Sequence, residues 1–235
     1  MLPSQAMDFP DLAERLGYIR SEITRRQQAG GWTHPVTVLA VTKGFGPDAV
    51  KAALDAGLTG VGENRVQEAL EKMEHPECRG AEWHLIGHLQ RNKAKFVPGK
   101  FVSVQSVDSV ELAEELDRRA SAQKAKLSVL VQVNVAGELQ KSGCEPAEVP
   151  GLVRRLTQLE GLTVDGLMAM APLTDDDAIQ RRAFRGLREI RDRLKEDGTW
   201  LQTLSMGMSG DFGTAVQEGA TLIRLGTALF GARTT

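Results

Sequence analysis

Cysteine is nearly absent from this 235-residue sequence, which carries only Cys78 and Cys144. Two thiols this far apart make neither a disulfide framework nor a metal-binding knuckle. No charge of one sign dominates. Lys and Arg number 29 against 31 Asp and Glu, for a formal net charge of −2, so the global basic excess of a dedicated nucleic-acid binder is missing. Long apolar runs are missing too. No segment approaches the ~18 apolar residues of a membrane span, and the acid-bearing N-terminus does not read as a signal peptide. No low-complexity segment and no close sequence repeat interrupt the chain. These absences lead us to expect a cytoplasmic globular protein with neither nucleic acid nor membrane among its partners. What is present is ordinary: 41% hydrophobic and 26% charged residues. A chain of this length buries roughly 70% of its surface on folding, enough for a full core without disulfides or metals.

Residues 6–29 read as a helix, because Leu12, Leu16, Ile19 and Ile23 share one face and Gly30-Gly31 ends the pattern. After Pro35 the pattern changes. Residues 36–41 are a short β-branched run suited to a strand covered on both faces. A helix opens at Pro47-Asp48 and ends near Gly57. The same rhythm then predicts strands over 60–62, 83–86, 101–104, 129–135, 164–168, 201–204 and 222–225. Helices are predicted between them over 66–73, 92–96, 109–121, 149–159, 178–195 and 212–218, with a short last one from Gly226. Asp175, Asp176 and Asp177 suit the N-terminal cap of the sixth crossover helix. Eight strand–helix units without a linker predict a single (β/α)₈ TIM barrel over 36–235, preceded by an extra N-terminal helix within 1–30. The competing fold, an open doubly wound sheet, normally carries a G-x-G-x-x-G turn after its first strand. Here Thr42-Lys43-Gly44-Phe45-Gly46 stands in that place.

In a barrel the chemistry lies at the C-terminal ends of the strands, so the strand list becomes a candidate list. Lys43 follows the first strand, where partial desolvation or a nearby cation would lower its amine pKa and ready it for an aldehyde. A lysine at a loop start is the plainer alternative. The last two strand ends, Ser205 to Asp211 and Arg224-Leu225-Gly226-Thr227, suit the phosphate site that such barrels build from the loops after strands seven and eight. There glycines let backbone N–H groups approach an anion, and Ser209 and Thr227 add hydroxyls. Arg224 points into the barrel mouth if Ile223 and Leu225 face the helices, and pairs there with a carboxylate or a ring nitrogen. His84 and His88 could suggest a metal pair, but Gly87 and the strand pattern do not place them on one helix face and no third ligand is evident. Arg91, Lys93 and Lys95 read as a solvated face or as an anion or partner contact.

The blocks Ala40 to Lys43, Gly62 to Glu68, Trp83 to Lys93, Lys141 to Gly143, Gly166 to Met170, Leu204 to Ser209 and Arg224 to Arg233 together resemble those of the pyridoxal phosphate homeostasis proteins. These are single-domain relatives of the alanine racemase barrel. Each block is short, but the combination is specific and spans nearly the whole chain. The resemblance implies that Lys43 holds pyridoxal 5′-phosphate as an internal aldimine, a Schiff base. It implies that Ser209, Gly226 and Thr227 bind the phosphate, that Arg224 faces the pyridine nitrogen, and that Asn64 and His84 lie near the ring. Two positions depart from the pattern: His88 stands where a smaller residue or Pro is common, and Gly210 where an acid is common.

The function expected is reversible storage and delivery of the cofactor within the cell, with no dedicated catalytic residue and no metal. The expected partners are the cofactor itself and the apoenzymes that require it, and the expected state is a monomer or weak dimer. The alternative is a racemase of low activity. Two-base racemisation needs an acid/base on each face of the substrate carbon, and in the racemases a tyrosine from a second domain supplies one. That domain is not expected here, and the single tyrosine, Tyr18, falls in the N-terminal helix. A third alternative is a barrel enzyme for an unrelated phosphorylated substrate that uses Lys43 as a catalytic amine.

Overall fold

A computed structural model of the chain describes residues 9–137 and 142–232. Eight parallel strands close into a barrel in chain order: β1 (Thr37–Val41), β2 (Gly60–Glu63), β3 (Glu82–Leu85), β4 (Ser103–Val107), β5 (Leu127–Gln132), β6 (Leu162–Met168), β7 (Thr203–Ser205) and β8 (Leu222–Leu225). β8 returns to pair with β1, with Leu39 opposite Arg224 and Ala40 opposite Leu225. Outside the barrel lie α1 (Leu12–Gly30), α2 (Pro47–Asp55), α3 (Val66–Met73), α4 (Val110–Ala122), α5 (Val149–Leu156), α6 (Asp177–Glu196), α7 (Phe212–Gln217) and α8 (Thr227–Phe230). The expected (β/α)₈ barrel with an additional N-terminal helix is therefore the fold.

The local causes are visible in the sequence. α1 buries Leu12, Leu16, Ile19 and Ile23 and stops where Gly31 adopts a left-handed φ of 73°. α2 starts with Pro47 in its first turn, where a missing N–H costs nothing. Asp176 caps α6 by accepting from the amides of Ala178 and Ile179, in line with the acidic triplet. The outer core fills the space between strands and helices. Ala40, Ile223 and Leu225 join it with Phe184, Leu187 and Leu229.

The expected boundaries shift where hydrogen bonding, not composition, sets them. Residues 9–11 form a turn ahead of α1, and residues 6–8 of the expected helix lie outside the described residues. Composition predicts the fifth and seventh strands at 129–135 and 201–204. β5 instead starts two residues earlier and stops at Gln132, while β7 starts two residues later, because the ladder partners on β6 fix where pairing begins and ends. The expected helix at 92–96 is a 3₁₀ segment, Arg91–Phe96. With Pro98 close behind it, there is no room to lengthen into a regular α-helix.

Candidate functional site

The C-terminal ends of the strands enclose a cavity of about 400 Å³. Lys43 enters it from the loop after β1, Asn64 from the end of β2, Arg224 from β8, Ser209 from the loop after β7, and Gly226 and Thr227 from the start of α8. Six of the seven residues expected at the site thus line one cavity.

The seventh, His84, does not. It lies lower in the barrel, opposite Gly62 on β2 and Ser103 on β4, and its Nδ1 is 2.7 Å from the Ser103 hydroxyl. Burial holds its pKa down to about 4, so the ring is neutral at pH 7. The correction has a simple origin. β3 ends at Leu85, so the residues that reach the mouth are the three that follow. Ile86, Gly87 and His88 line the cavity, and Gly87 passes so close to Asn64 that a Cβ there would collide with the Asn64 carbonyl oxygen.

Arg224 is buried. Its guanidinium donates to the carbonyl oxygen and hydroxyl of Ser205 and to the carbonyl oxygen of Ala169, at 2.8, 2.6 and 2.9 Å. Burial lowers its pKa to about 10, with the nearby Asp211 charge opposing, so it remains a cation at neutral pH. The carboxylate partner that the sequence allows for it is not a direct one: its hydrogen bonds run to a hydroxyl and two carbonyls.

The far end of the cavity has anion-binding chemistry. The Ser209 hydroxyl accepts from the amides of Gly226 and Ala228, at 3.3 and 3.1 Å, which places it at the opening of α8. Those amides carry the partial positive charge of a helix start. The loop that carries Ser209 leaves β7 through Gly207, at φ 94°, where a Cβ would come within 2.6 Å of the Ala215 Cβ. Only glycine fits that corner without strain.

Beside Lys43 lies a group centred on Lys72, a residue that the sequence did not single out. Lys72 of α3 is buried, and its ammonium donates to Glu63 Oε1 at 2.6 Å, to Glu68 Oε1 at 3.1 Å and to the Thr42 carbonyl oxygen at 2.9 Å. Burial raises the Glu63 carboxyl above its usual range, with Lys72 and the Thr42 hydroxyl pulling against it. Glu68 shifts the other way: burial would raise it, but the Gly44 amide and Lys72 outweigh that. Gln132, whose Nε2 donates to the Ser142 carbonyl oxygen at 2.9 Å, also lines the cavity and is absent from the expected set. A lone glutamine on an apolar strand carries no local signal. Lys141, part of one of the sequence blocks, lies outside the described residues.

The sequence model of the family described as "Alanine racemase, N-terminal domain" matches residues 19–234, and the chain belongs to that family. The curated relatives are more specific. The pyridoxal phosphate homeostasis protein of Pseudomonas aeruginosa is 43% identical over 224 residues, covering 94% of this chain and 96% of the relative. That of Aquifex aeolicus is 40% identical over 222 residues, covering 94% and 97%. The chain is thus a member of the pyridoxal phosphate homeostasis protein family. Among solved structures, PipY of Synechococcus elongatus with PLP bound is 38% identical, with a TM-score of 0.81 over 94% of this chain and all of that one.

Proposed function

We propose that this protein binds pyridoxal 5′-phosphate reversibly in the barrel mouth, keeps its free concentration low, and passes it to apoenzymes that need it. The observation that carries this reading is the convergence of Lys43, Arg224, Ser209, Gly226 and Thr227 on one cavity from separate stretches of chain. The donor set fits the cofactor's three handles. An amine faces where an aldehyde would lie, the amides of α8 suit a phosphate dianion, and a cationic guanidinium suits an unprotonated ring nitrogen. The homologous PLP-bound structure and the relatives' names support the same reading.

Bound pyridoxal phosphate supplies an aldehyde for covalent capture and a ring that withdraws electrons strongly only when its nitrogen is protonated. The protein's own residues determine how much of that chemistry is used. Lys43 provides the nucleophile. Ser209, Gly226 and Thr227 hold the anion without consuming it. Arg224 does not give up its proton at neutral pH, so it gives a ring nitrogen no proton and weakens the electron sink. Its hydrogen bonds to Ser205 and Ala169 hold it in the barrel wall.

This arrangement suits a carrier better than a racemase. The single tyrosine, Tyr18, is exposed on α1 and does not line the cavity, so it does not offer the second base of a two-base exchange. A cytoplasmic setting is supported by the two free, buried cysteines, and no helix among the described residues is long and apolar enough to cross a membrane.

The test is the visible absorption spectrum of the purified protein before and after borohydride, with mapping of the reduced adduct. A yellow band that reduction abolishes, with pyridoxyl mass on the Lys43 peptide, supports the reading. A colourless protein that also takes up no added cofactor, or full stoichiometric adduct on another lysine, overturns it.

A further inference from the structure

We infer that Lys72, acting with Glu63 and Glu68, is a positioning residue that holds the backbone on both sides of Lys43 and so sets the direction of the amine. The inference deepens the reading of Lys43 as the covalent anchor and rests on it.

Lys43 sits within a turn closed by the Phe45 amide on the Thr42 carbonyl oxygen, at 3.0 Å. Both neighbours are held. Thr42 is fully buried, donates its amide to the Gly62 carbonyl oxygen at 3.1 Å and its hydroxyl to Glu63 Oε1 at 2.6 Å, and accepts from Lys72 at 2.9 Å. Gly44, at φ 73°, donates its amide to Glu68 Oε1 at 2.7 Å. That oxygen and Glu63 Oε1 both accept from the Lys72 ammonium. One ammonium with three N–H donors therefore meets three acceptors, and two of these tie directly to the peptides flanking Lys43.

Stability alone does not account for this device. Removing a lysine and a glutamate from water costs several kcal/mol per ion, and an apolar pair of similar volume often stabilises a protein as well or better. What an apolar pair lacks is direction. It cannot grip a carbonyl on one side of Lys43 and, through a carboxylate, an N–H on the other.

The step that depends on direction is capture of the aldehyde. The uncharged Nζ of Lys43 adds its lone pair to the aldehyde carbon. The carbonyl oxygen leaves as water with both amine protons, and a C=N bond replaces C=O. Attack of this kind needs the amine in a near-attack position, and a displacement of an ångström costs one to two orders of magnitude in rate. The proposed phosphate anchor, Ser209 with the amides that open α8, is built from other stretches of the chain.

Two measurements on wild type and variants separate these effects. One is the rate at which added pyridoxal 5′-phosphate becomes borohydride-trappable on Lys43. The other is the affinity for pyridoxine 5′-phosphate, which carries an alcohol in place of the aldehyde. Lys72→Met is expected to slow trapping about tenfold or more while leaving affinity for the alcohol within about twofold, since uniform binding is untouched. Glu68→Ala is expected to behave in the same way, and Glu68→Gln, which keeps an oxygen for the Gly44 amide, to recover most of the rate. Trapping at the wild-type rate in Lys72→Met overturns the inference. A parallel fall of both measurements also overturns it, because that is the signature of general damage. If Lys72→Met does not fold, Glu68→Ala decides alone, since its carboxylate is partly exposed at the edge of the cluster and its loss leaves Lys72 paired with Glu63. Wild-type protein that traps nothing on Lys43 would overturn the site reading itself, and the positioning role with it.

Discussion

Arg224 and Ser205 form a relay across the barrel interior. The Arg224 guanidinium donates to the Ser205 hydroxyl at 2.6 Å, and that hydroxyl donates onward to Gln105 Oε1 at 2.6 Å. β8, β7 and β4 are linked in this way beneath the cavity. Ser205→Ala removes an acceptor from a buried cation and a donor from a buried amide. Leaving such groups unsatisfied costs about 1–3 kcal/mol, which urea denaturation should report as a lower midpoint at unchanged slope.

The charge on Arg224 has its own signature. Arg224→Glu places an acid where the cation stood, and the ring nitrogen of bound cofactor should then gain a proton, displacing the visible absorption band. An unchanged spectrum in a folded, cofactor-loaded variant would show that Arg224 does not face the ring.

Lys43→Ala should abolish the borohydride-stable adduct and leave the fold intact, because Lys43 lies in a loop at the cavity rim rather than in the core. In the proposed site the phosphate is held by other residues, so the variant should still bind the cofactor noncovalently. Equilibrium dialysis against pyridoxal phosphate checks this, and complete loss of binding would mean that the anion site is not independent of the lysine.

His84 should make stability sensitive to mild acid. Its folded pKa is about 4 against 6.5 for an ordinary histidine in the unfolded chain. Below pH 6.5 the unfolded state therefore takes up a proton that the native state refuses, and stability is lost progressively from pH 6.5 down to about pH 4. Each pH unit crossed in that window removes about 1.4 kcal/mol, for a total on the order of 3 kcal/mol. Chemical denaturation at pH 7 and pH 5 should show it, and His84→Gln should flatten that part of the profile.

Gly207 tests the corner that carries Ser209. Gly207→Ala forces a positive φ on an alanine and drives its Cβ into Ala215. Strain of this kind costs about 1–3 kcal/mol, and the melting temperature should fall accordingly. Affinity for inorganic phosphate should fall as well, because the loop moves the hydroxyl away from α8.

Much of the molecule was legible in its residues. Strands of a parallel barrel are buried on both faces and must be short apolar runs, while the surrounding helices must repeat their apolar face every three or four residues. The two periods alternate eight times, so the architecture follows from local pattern. Thr42 to Gly46, Ser205 to Asp211 and Arg224 to Thr227 could be assigned to the mouth for the same reason: they sit where strands end.

Part of the fine placement was not legible, because it depends on the register between neighbouring strands and on how the helices pack over them. Arg224 faces the cavity with Ile223 and Leu225 in the outer core, as the alternation along the strand implies, whereas the register of β3 against β2 and β4 seats His84 a level below the cavity although it lies within a recognisable motif. Lys72 makes the same point more sharply. On α3 it continues the inward face of Val66 and Ala69, yet a lysine read from sequence belongs in water. Glu68 stands one turn earlier on the same helix, but only the approach of α3 to the ends of β1 and β2 supplies the Thr42 carbonyl and the Glu63 carboxylate that make its burial tolerable. Local pattern alone dictated the alternation of elements and the chemistry available at each strand end. Closure of the barrel selected which of those groups meet, because contacts between distant strands are fixed by the geometry of the closed sheet and by no local preference.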